Sequence, residues 1–279
     1  MIFKKESFYL ALAPVFFLLL FSLIGSFFTP HDPFKQQLQQ ALLPPSSEYI
    51  CGTDRYGRCV FSRILAGAPL SVFTALLITA AAALIGTAAG LCIGYYRDSC
   101  IDKLLLHLTN IVLAFPGIIL ALAITGIAGG GMLTAAFALL CSSWAPYARL
   151  VRRQIITVRQ APYIEAAKLS GCTDTEILYR YLLPIAAKPV LIMAAANIGT
   201  MLLMLSGLSF IGLGAQPPAA EWGAMISSSR SLLQVAPWTV FAPGGALFIA
   251  VCCFNLSGNA LHDLLEPEHN NFLKEYKDE

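Results

Sequence analysis

Charge is what this sequence has least of. Of its 279 residues only 12% are Asp, Glu, Lys or Arg, about half the fraction of an ordinary soluble domain. With 18 Lys and Arg against 16 Asp and Glu, the net charge of +2 gives no electrostatic reason to expect a nucleic acid or an acidic partner. The hydrophobic fraction of 57% and the mean hydropathy of +0.69 indicate instead a chain that crosses a membrane several times.

The sequence also lacks the motifs of a nucleotide or metal site. Its nearest approach to a phosphate-binding loop, Gly52–Gly57 followed by Arg58, has neither the lysine nor the Ser/Thr that such a loop requires. No Cys-x-x-Cys or His-x-x-x-His pair occurs, and Pro267 interrupts the helical spacing of the C-terminal histidines. We therefore expect no catalytic residue, no cofactor and no metal site.

What the sequence does have is long apolar stretches. A helix needs roughly 20 apolar residues to cross the hydrocarbon core of a bilayer. Six stretches reach or approach that length, at about 8–28, 70–94, 104–128, 132–148, 189–213 and 239–261. The sequence therefore predicts an all-α membrane protein with six transmembrane helices in a single domain over residues 1–279.

The first apolar stretch follows Lys4 and Lys5 and so also resembles the start of a secretory signal. It is longer than the apolar core of such a signal, and no small-residue cleavage site follows it before Pro30. We interpret it as a retained helix.

Basic residues are unequally divided between the two sides that six spans create. With the N-terminus inside, thirteen lie in cytoplasmic segments: Lys4, Lys5, Arg97, Lys103, Arg149, Arg152, Arg153, Arg159, Lys168, Arg180, Lys188, Lys274 and Lys277. Five lie in outer segments: Lys35, Arg55, Arg58, Arg63 and Arg230. Because Lys and Arg favour the cytoplasmic side, we expect a multi-pass inner-membrane protein with both termini in the cytoplasm. Its outer loops are 29–69 and 214–238, and its long inner loop is 149–188.

This topology places cysteines on both sides of the membrane. Cys51 and Cys59 share the oxidising outer side with seven residues between them, and the sequence leaves open whether they form a disulfide. Cys100 and Cys172 fall on the cytoplasmic side, where thiols stay reduced.

The long inner loop contains signals for two short helices. Pro162 suits a first helical turn, Tyr163–Leu169 follows as a helix, and Gly171 stands where a helix commonly ends. Thr173–Glu176 has the form of a capping box, so a second helix starts there and is expected to end at Leu183, before Pro184. The loop therefore predicts a helix, a glycine turn and a second helix at the cytoplasmic face.

At this loop the sequence resembles a known family. Glu165-Ala166-Ala167, three further residues, Gly171, and then Leu183-Pro184 resemble the EAA loop of ABC-importer permeases, with Tyr181 standing where that pattern often has Ile. Further stretches resemble permeases of dipeptide, oligopeptide and nickel importers, in their shorter, second-permease form. They are Gly52-Thr53-Asp54-Arg55-Tyr56-Gly57-Arg58, Phe61-Ser62-Arg63, Ser209–Gly214, Glu221-Trp222-Gly223, Phe254-Asn255-Leu256 and Asp263-x-x-Glu266-Pro267.

The resemblance implies a non-catalytic permease subunit that forms half of a translocation path. The implied partners are a second homologous permease, two cytoplasmic ATP-binding subunits, an extracytoplasmic substrate-binding protein and membrane lipid, without nucleic acid. Residues implied to couple to the ATPase are Glu165, Ala166, Ala167, Gly171, Leu183 and Pro184. An autonomous carrier or an intramembrane enzyme would need paired ionisable residues deep in the spans, and the spans contain almost none.

For several residues the sequence allows both a structural and a functional interpretation. Glu165 is either a coupling residue or a solvated carboxylate. The segment Gly52–Arg58 is either a turn held by Asp54 with Arg58 or Arg55, or a contact for the binding protein. Asn197 either bonds across helices or touches cargo.

The fifth span supplies the candidate path-lining residues. For the cargo, the sequence leaves two candidates, a nickel chelate and a peptide. The path candidates are Asn197, Met201, Met204, Ser206 and Ser209. The stretches 206–214 and 220–223 resemble nickel permeases more than dipeptide permeases, which favours a nickel chelate over a peptide. A metal wrapped by an organic chelator needs only weak contacts from the path, so the scarcity of His and Cys in the spans does not exclude nickel.

Overall fold

A computed structural model describes residues 2–97 and 99–265 of the chain, with side chains from residue 12 onward. These residues form helices and no strand, apart from one isolated antiparallel bridge between Thr53 and Cys59. The helices are α1 (Ile2–Ile24), α2 (Val60–Tyr95), α3 (Cys100–Ala114), α4 (Gly117–Ala128), α5 (Met132–Ser143), α6 (Ala145–Val158), α7 (Pro162–Leu169), α8 (Asp174–Glu176), α9 (Leu183–Ile211), α10 (Trp222–Ser229) and α11 (Trp238–Leu265). The predicted all-α class is confirmed.

Helix α2 is in close contact with α6 along the length of α6. Three glycines spaced four residues apart, Gly86, Gly90 and Gly94, face α6 from one side of α2. A Cβ atom on Gly90 would lie 2.6 Å from the carbonyl oxygen of Ala148 and 2.7 Å from the Cβ of Val151. Spacing of four puts these residues on one helix face, so the missing side chains let the two backbones approach closely.

The half of the bundle that contains α10 has its own apolar core. Side chains of α2, α5, α9, α10 and α11 meet there, among them Val72, Leu139, Leu205, Trp222 and Phe254, all of them buried. Close approach recurs between α9 and α11, where a Cβ on Gly258 would lie 2.8 Å from the Cα of Ala196. Small residues at helix contacts are typical of membrane bundles, since packing rather than a hydrophobic driving force holds the helices together.

The stretch predicted as one span at 104–128 is divided in the structure. Helices α3 and α4 are bent by 94° at a break formed by Phe115 and Pro116. Phe115 is extended (φ −102°, ψ 141°), as expected for a residue that precedes proline, because the proline ring disfavours the helical conformation there.

The stretch predicted at 132–148 also falls on two helices. Only Trp144 separates α5 from α6, and Pro146, in the first turn of α6, cannot donate the backbone bond that would join them. The inner segment predicted from residue 149 therefore begins inside α6.

Judged by length and composition, fewer helices could cross a membrane than the six spans that the sequence predicts. Among the described residues three helical segments, Val60–Tyr95, Asp174–Ile211 and Trp238–Leu265, are long and apolar enough to cross a membrane, and the bent pair α3–α4 would make a fourth. The apolar part of the first helix, Leu12–Phe27, falls below that length. The count of six is not confirmed. Lys274, Lys277, Glu266, Pro267 and His269 lie outside the described residues.

The second helix of the inner loop does not end before Pro184, contrary to the sequence-based expectation. From α8 the chain continues through a π-helical segment, Ile177–Leu182, straight into α9. Pro184 lies in the first turn of α9. Proline has no N–H to donate and would interrupt a regular helix here. The wider π turn before Pro184 lets the helix continue past this position.

Because α2 and α6 are so close, one methyl group added at their contact should lower the stability of the chain. Gly90→Ala should destabilise the isolated chain by about 2 kcal/mol, because the new Cβ overpacks against the α6 backbone. Gly126→Ala in α4 is the matched control, since nothing lies within 4 Å of its Cβ position. Thermal unfolding in detergent measures both; equal midpoints for the two variants would contradict the close packing.

Candidate functional site

The short helix α7 is held to the bundle by one face. Pro162 starts it, and its buried residues Ile164 and Ala167 join an apolar cluster with Tyr95 of α2 and Ile155 of α6. Pro at the first helical position loses no hydrogen bond, because that N–H has no partner within the helix. The face therefore fixes α7 against the ends of α2 and α6.

Gly171 ends α7 in the way its position predicts. Its φ is +85°, in the left-handed region, and nothing lies within 4 Å of its Cβ position. The Cys172 N–H donates to the Ala167 carbonyl at 3.1 Å, and the Gly171 N–H donates to the Lys168 carbonyl at 3.0 Å. This pair of bonds is a Schellman motif, so the backbone conformation rather than crowding requires glycine.

The capping box predicted after the turn is present. The Glu176 N–H donates to the Thr173 hydroxyl at 3.3 Å, and the Thr173 N–H donates to the Glu176 carboxylate at 2.9 Å. The next residue, Ile177, is fully buried in the same cluster as α7. Both ends of the turn are therefore fixed.

A polar contact ties this turn to α2. The Tyr95 hydroxyl donates to Asp174 Oδ1 at 2.5 Å, and the Lys168 ammonium lies 5.3 Å from the centre of the Tyr95 ring. One aromatic residue at the end of α2 thus contacts α7 through Lys168 and α8 through Asp174.

The opposite face of α7 is open. Glu165 and Ala166 are exposed, Tyr163 is 46% exposed and Leu169 is 90% exposed. Of the other residues predicted to couple, Ala167 is buried, Leu183 is half-buried and Pro184 is exposed. Sequence reasoning missed Leu169, although an apolar residue at the end of a short amphipathic helix is the available signal.

At the other end of the bundle, Asp54 organises the loop that precedes α2. Its carboxylate accepts from the backbone N–H groups of Tyr56 (2.8 Å) and Arg58 (3.0 Å) and forms an ion pair with the Arg58 guanidinium at 2.6 Å. Arg63 lies 3.9 Å from the same carboxylate. Asp54 and Arg58 thus hold this segment as a turn, and its contact with a binding protein stays a prediction.

Two glycines and a threonine complete this turn. Gly52 (φ +66°) and Gly57 (φ +71°) are left-handed, and a Cβ on Gly57 would overlap the Gln37 carbonyl. Thr53 is buried; its hydroxyl donates to the Gln40 carbonyl at 2.5 Å, and its own carbonyl accepts from the Trp238 indole at 3.2 Å. The loop is therefore fastened to the start of α11.

Cys51 and Cys59 are free thiols in the structure. Partial burial raises the pKa of the Cys51 thiol, and the neighbouring Cys59 adds to that rise. Both effects disfavour the thiolate, which is the form that reacts in disulfide exchange.

The Glu221-Trp222-Gly223 stretch is a packing element. Glu221 is fully buried and caps α10, accepting from the backbone N–H groups of Gly223 (3.0 Å) and Ala224 (2.8 Å). The hydroxyls of Ser206 and Ser71 lie 3.2 and 3.4 Å from the same carboxylate. This carboxylate thus joins α2, α9 and α10.

The neighbours of Glu221 strengthen that junction. The Trp222 indole donates to the Ile64 carbonyl of α2 at 3.1 Å, and a Cβ on Gly223 would overlap the Ser206 backbone of α9. All three residues of the stretch are buried, so none presents a surface to a partner.

Comparison with known proteins decides the family. The sequence profile of the family described as binding-protein-dependent transport system inner membrane component matches residues 82–270. The chain belongs to this family. It is a permease subunit of an ABC importer, and its apolar helices place it in the inner membrane as a multi-pass protein.

Named relatives of the permease differ in what they carry. It is 40% identical over 224 residues to a dipeptide transport system permease protein of Alkalihalophilus pseudofirmus, covering 80% of this chain and 73% of that protein. It is 36% identical over 262 residues to a nickel transport system permease protein of Escherichia coli K12, covering 92% and 93%. In fold it is similar to a chain of the MetNI methionine ABC transporter in an inward-facing conformation, with a TM-score of 0.56, 20% identity and coverage of 73% and 96%.

The residues of the permease predicted to line a path divide into two groups. Met201, Ser206 and Ser209 are buried within this chain, where Ser206 bonds Glu221 and the Ser209 hydroxyl accepts from the Ala215 N–H at 3.3 Å. Asn197 and Met204 are half-buried. The Asn197 amide donates to the Tyr147 hydroxyl of α6 at 3.2 Å, so this side chain forms a bond between helices, and its contact with cargo stays a prediction.

The bonds of the buried Glu221 carboxylate should contribute to the stability of the permease. Glu221→Leu should lower the free energy of unfolding by about 3 kcal/mol, because two buried N–H groups and two hydroxyls lose their acceptor. Glu165→Leu, at an exposed carboxylate, should leave the unfolding midpoint within error. Thermal unfolding of the purified chain in detergent distinguishes them, and a wild-type midpoint for Glu221→Leu would contradict the bonded role of this carboxylate.

Proposed function

We propose that the chain forms half of the translocation path of a binding-protein-dependent importer and receives the motion of a cytoplasmic ATPase through α7. The open face of α7 is the observation that carries this proposal. An exposed leucine and a half-exposed tyrosine lie on a helix whose other face is buried. Exposed apolar side chains on a short helix that is anchored by its other face are typical of a helix that docks into a groove.

The attachment of α7 supports a coupling role over a simple surface role. A force applied to α7 reaches α6 through Ile164 and Ile155, and α2 through Tyr95. The close contact between α2 and α6 then passes it into the bundle. In this proposal Glu165, Ala166, Ala167, Gly171, Leu183 and Pro184 form the coupling segment, and Leu169 is added to it.

For the topology we propose the six spans of the charge analysis, with both termini in the cytoplasm and one transmembrane domain over 1–279. The broken pair α3–α4 then serves as the third span, and α5 with the start of α6 as the fourth. The distribution of Lys and Arg supports this orientation. It places α7 and its turn on the cytoplasmic side, where an ATPase is found.

The proposed assembly contains this chain, a second homologous permease, two ATP-binding subunits and an extracytoplasmic substrate-binding protein. Family membership supports an ATPase and a binding protein. The chain is the non-catalytic component, because its sequence contains no phosphate-binding loop of its own. Asn197 and Met204, which are half-buried on α9, are the proposed path-lining residues.

For the cargo we propose a nickel chelate, with a dipeptide as the second candidate. The nickel relative supports the first, because the similarity extends over 92% of this chain and 93% of that protein. The dipeptide relative supports the second, because its identity of 40% is higher although it covers less of the chain.

The coupling proposal is tested at Leu169. Leu169→Asp should weaken binding of the ATPase by about thirtyfold, and reduce its co-purification and ATP-driven uptake accordingly, since burial of a leucine anchor contributes roughly 2 kcal/mol to an interface. The substitution should not change the unfolding midpoint, because the side chain is 90% exposed. Leu169→Met keeps an apolar side chain and is the matched control, expected to behave as wild type. Normal ATPase binding by Leu169→Asp would contradict the assignment of α7 as the docking helix.

The cargo proposal is tested in cells. Deletion of the gene should lower cellular nickel and nickel-enzyme activity while growth on dipeptides as the amino-acid source is unchanged. Complementation with the wild-type gene is the control. Unchanged nickel with lost growth on dipeptides would reverse the choice between the two candidates.

A further inference from the structure

A cavity at the outer end of the bundle has a strongly basic lining. It has a volume of about 270 Å³ and lies between the first outer loop and the segment that follows α9. Arg55, Arg58 and Arg63 contribute to its wall, and no Asp or Glu among the described residues does. Polar groups of Gln216 and Ser227 complete it.

Two of the three arginines are already held in place. Arg58 pairs with Asp54, and Arg63 donates to the carbonyl of Pro33 at 3.1 Å and to that of Ala219 at 3.4 Å. Their side chains are almost fully buried. They therefore form a rigid, preorganised part of the wall.

Arg55 is different, because it is exposed and makes no ion pair with any described residue. Its guanidinium lies 4.7 Å from the centre of the Tyr56 ring, and the Arg58 guanidinium lies 4.6 Å from the same ring. Tyr56 thus helps to position both side chains. Asp54 and Glu221, whose carboxylate accepts from the N–H of the cavity-lining Ala224 at 2.8 Å, are the carboxylates next to the cavity. Three arginines against these two carboxylates leave an excess of positive charge there.

We propose that this cavity binds the carboxylate group of the cargo as it enters the path. The inference rests on the proposed function. A guanidinium presents paired N–H donors that match the two oxygens of a carboxylate, and Arg55 is the side chain with donors to spare. A peptide terminus and a carboxylate-bearing metal chelator both carry this group, so the subsite serves either candidate cargo.

The size and place of the cavity favour a small-molecule group over an acidic side chain of the binding protein. A volume of about 270 Å³ is slightly smaller than a typical ligand pocket and holds one end of a small cargo. Its lining includes Ser209 and Gly212, at the end of α9, the helix that carries the proposed path residues.

The subsite is tested by chemical modification of arginine, without ATP or transport. The full chain, purified with its co-isolated subunits in lipid nanodiscs, is treated with phenylglyoxal, and modification at each arginine is followed by mass spectrometry. N-acetylglycine is the probe, and N-acetylglycinamide, which lacks the carboxylate, is its matched control. We expect N-acetylglycine to slow modification of Arg55 about threefold, since a partly exposed ion pair is weak, and the amide to have no effect.

Arg230 serves as the internal control, because it is exposed and lies outside the cavity lining. Equal slowing at Arg55 and Arg230, or no slowing at Arg55, would overturn the proposal. Protection of Arg55 by the cargo-free binding protein but not by N-acetylglycine would overturn it too, in favour of protein docking. None of these results bears on ATPase docking at Leu169, so failure here is distinguishable from failure of the proposed function.

Discussion

The contact between α2 and α6 is the constraint on which the rest of this chain depends. Gly86, Gly90 and Gly94 bring the α6 backbone against α2, and the last turns of both helices then form the surface on which α7 lies. Membrane helices gain little from the hydrophobic effect when they associate, so close backbone packing must supply the attraction. A bulky residue in this seam would separate the helices and remove the support of α7 together with it.

The end of the bundle that carries Asp54 and Glu221 is held by a different kind of interaction. Glu221 and Asp54 are buried carboxylates, and each is surrounded by several donors at 2.6–3.4 Å. Such groups stabilise a fold only when their bonds are complete. Buried carboxylates with several donors thus add to the apolar core at the end of the bundle near Glu221, whereas mainly apolar contacts hold α7 at the other end.

Local signals in the sequence predicted the parts of the fold that depend on backbone conformation. The turn at Gly171 and the capping box at Thr173 follow from chemistry within a few residues, and both are present. The span boundaries were less predictable, because composition alone does not show that Phe115–Pro116 bends a helix pair by 94°. The burial of Glu221 depends on Ser71, far away in sequence, and a polar residue in a predicted loop gives no sign of such a partner.

The π-helical segment Ile177–Leu182 connects the capped turn at Thr173 to α9, so its geometry affects the rotational phase between them. Each residue advances an α-helix by about 100°, and a π turn accommodates one residue more than a regular turn. A chain one residue shorter here could run as a regular α-helix while Asn197 and the other side chains of α9 face nearly the same direction relative to α7, because only the extra residue of the π turn is lost. One residue removed from a regular part of the same helix would instead turn those side chains by about 100°. The chain can therefore change its length at the π segment without changing the angular setting of α9.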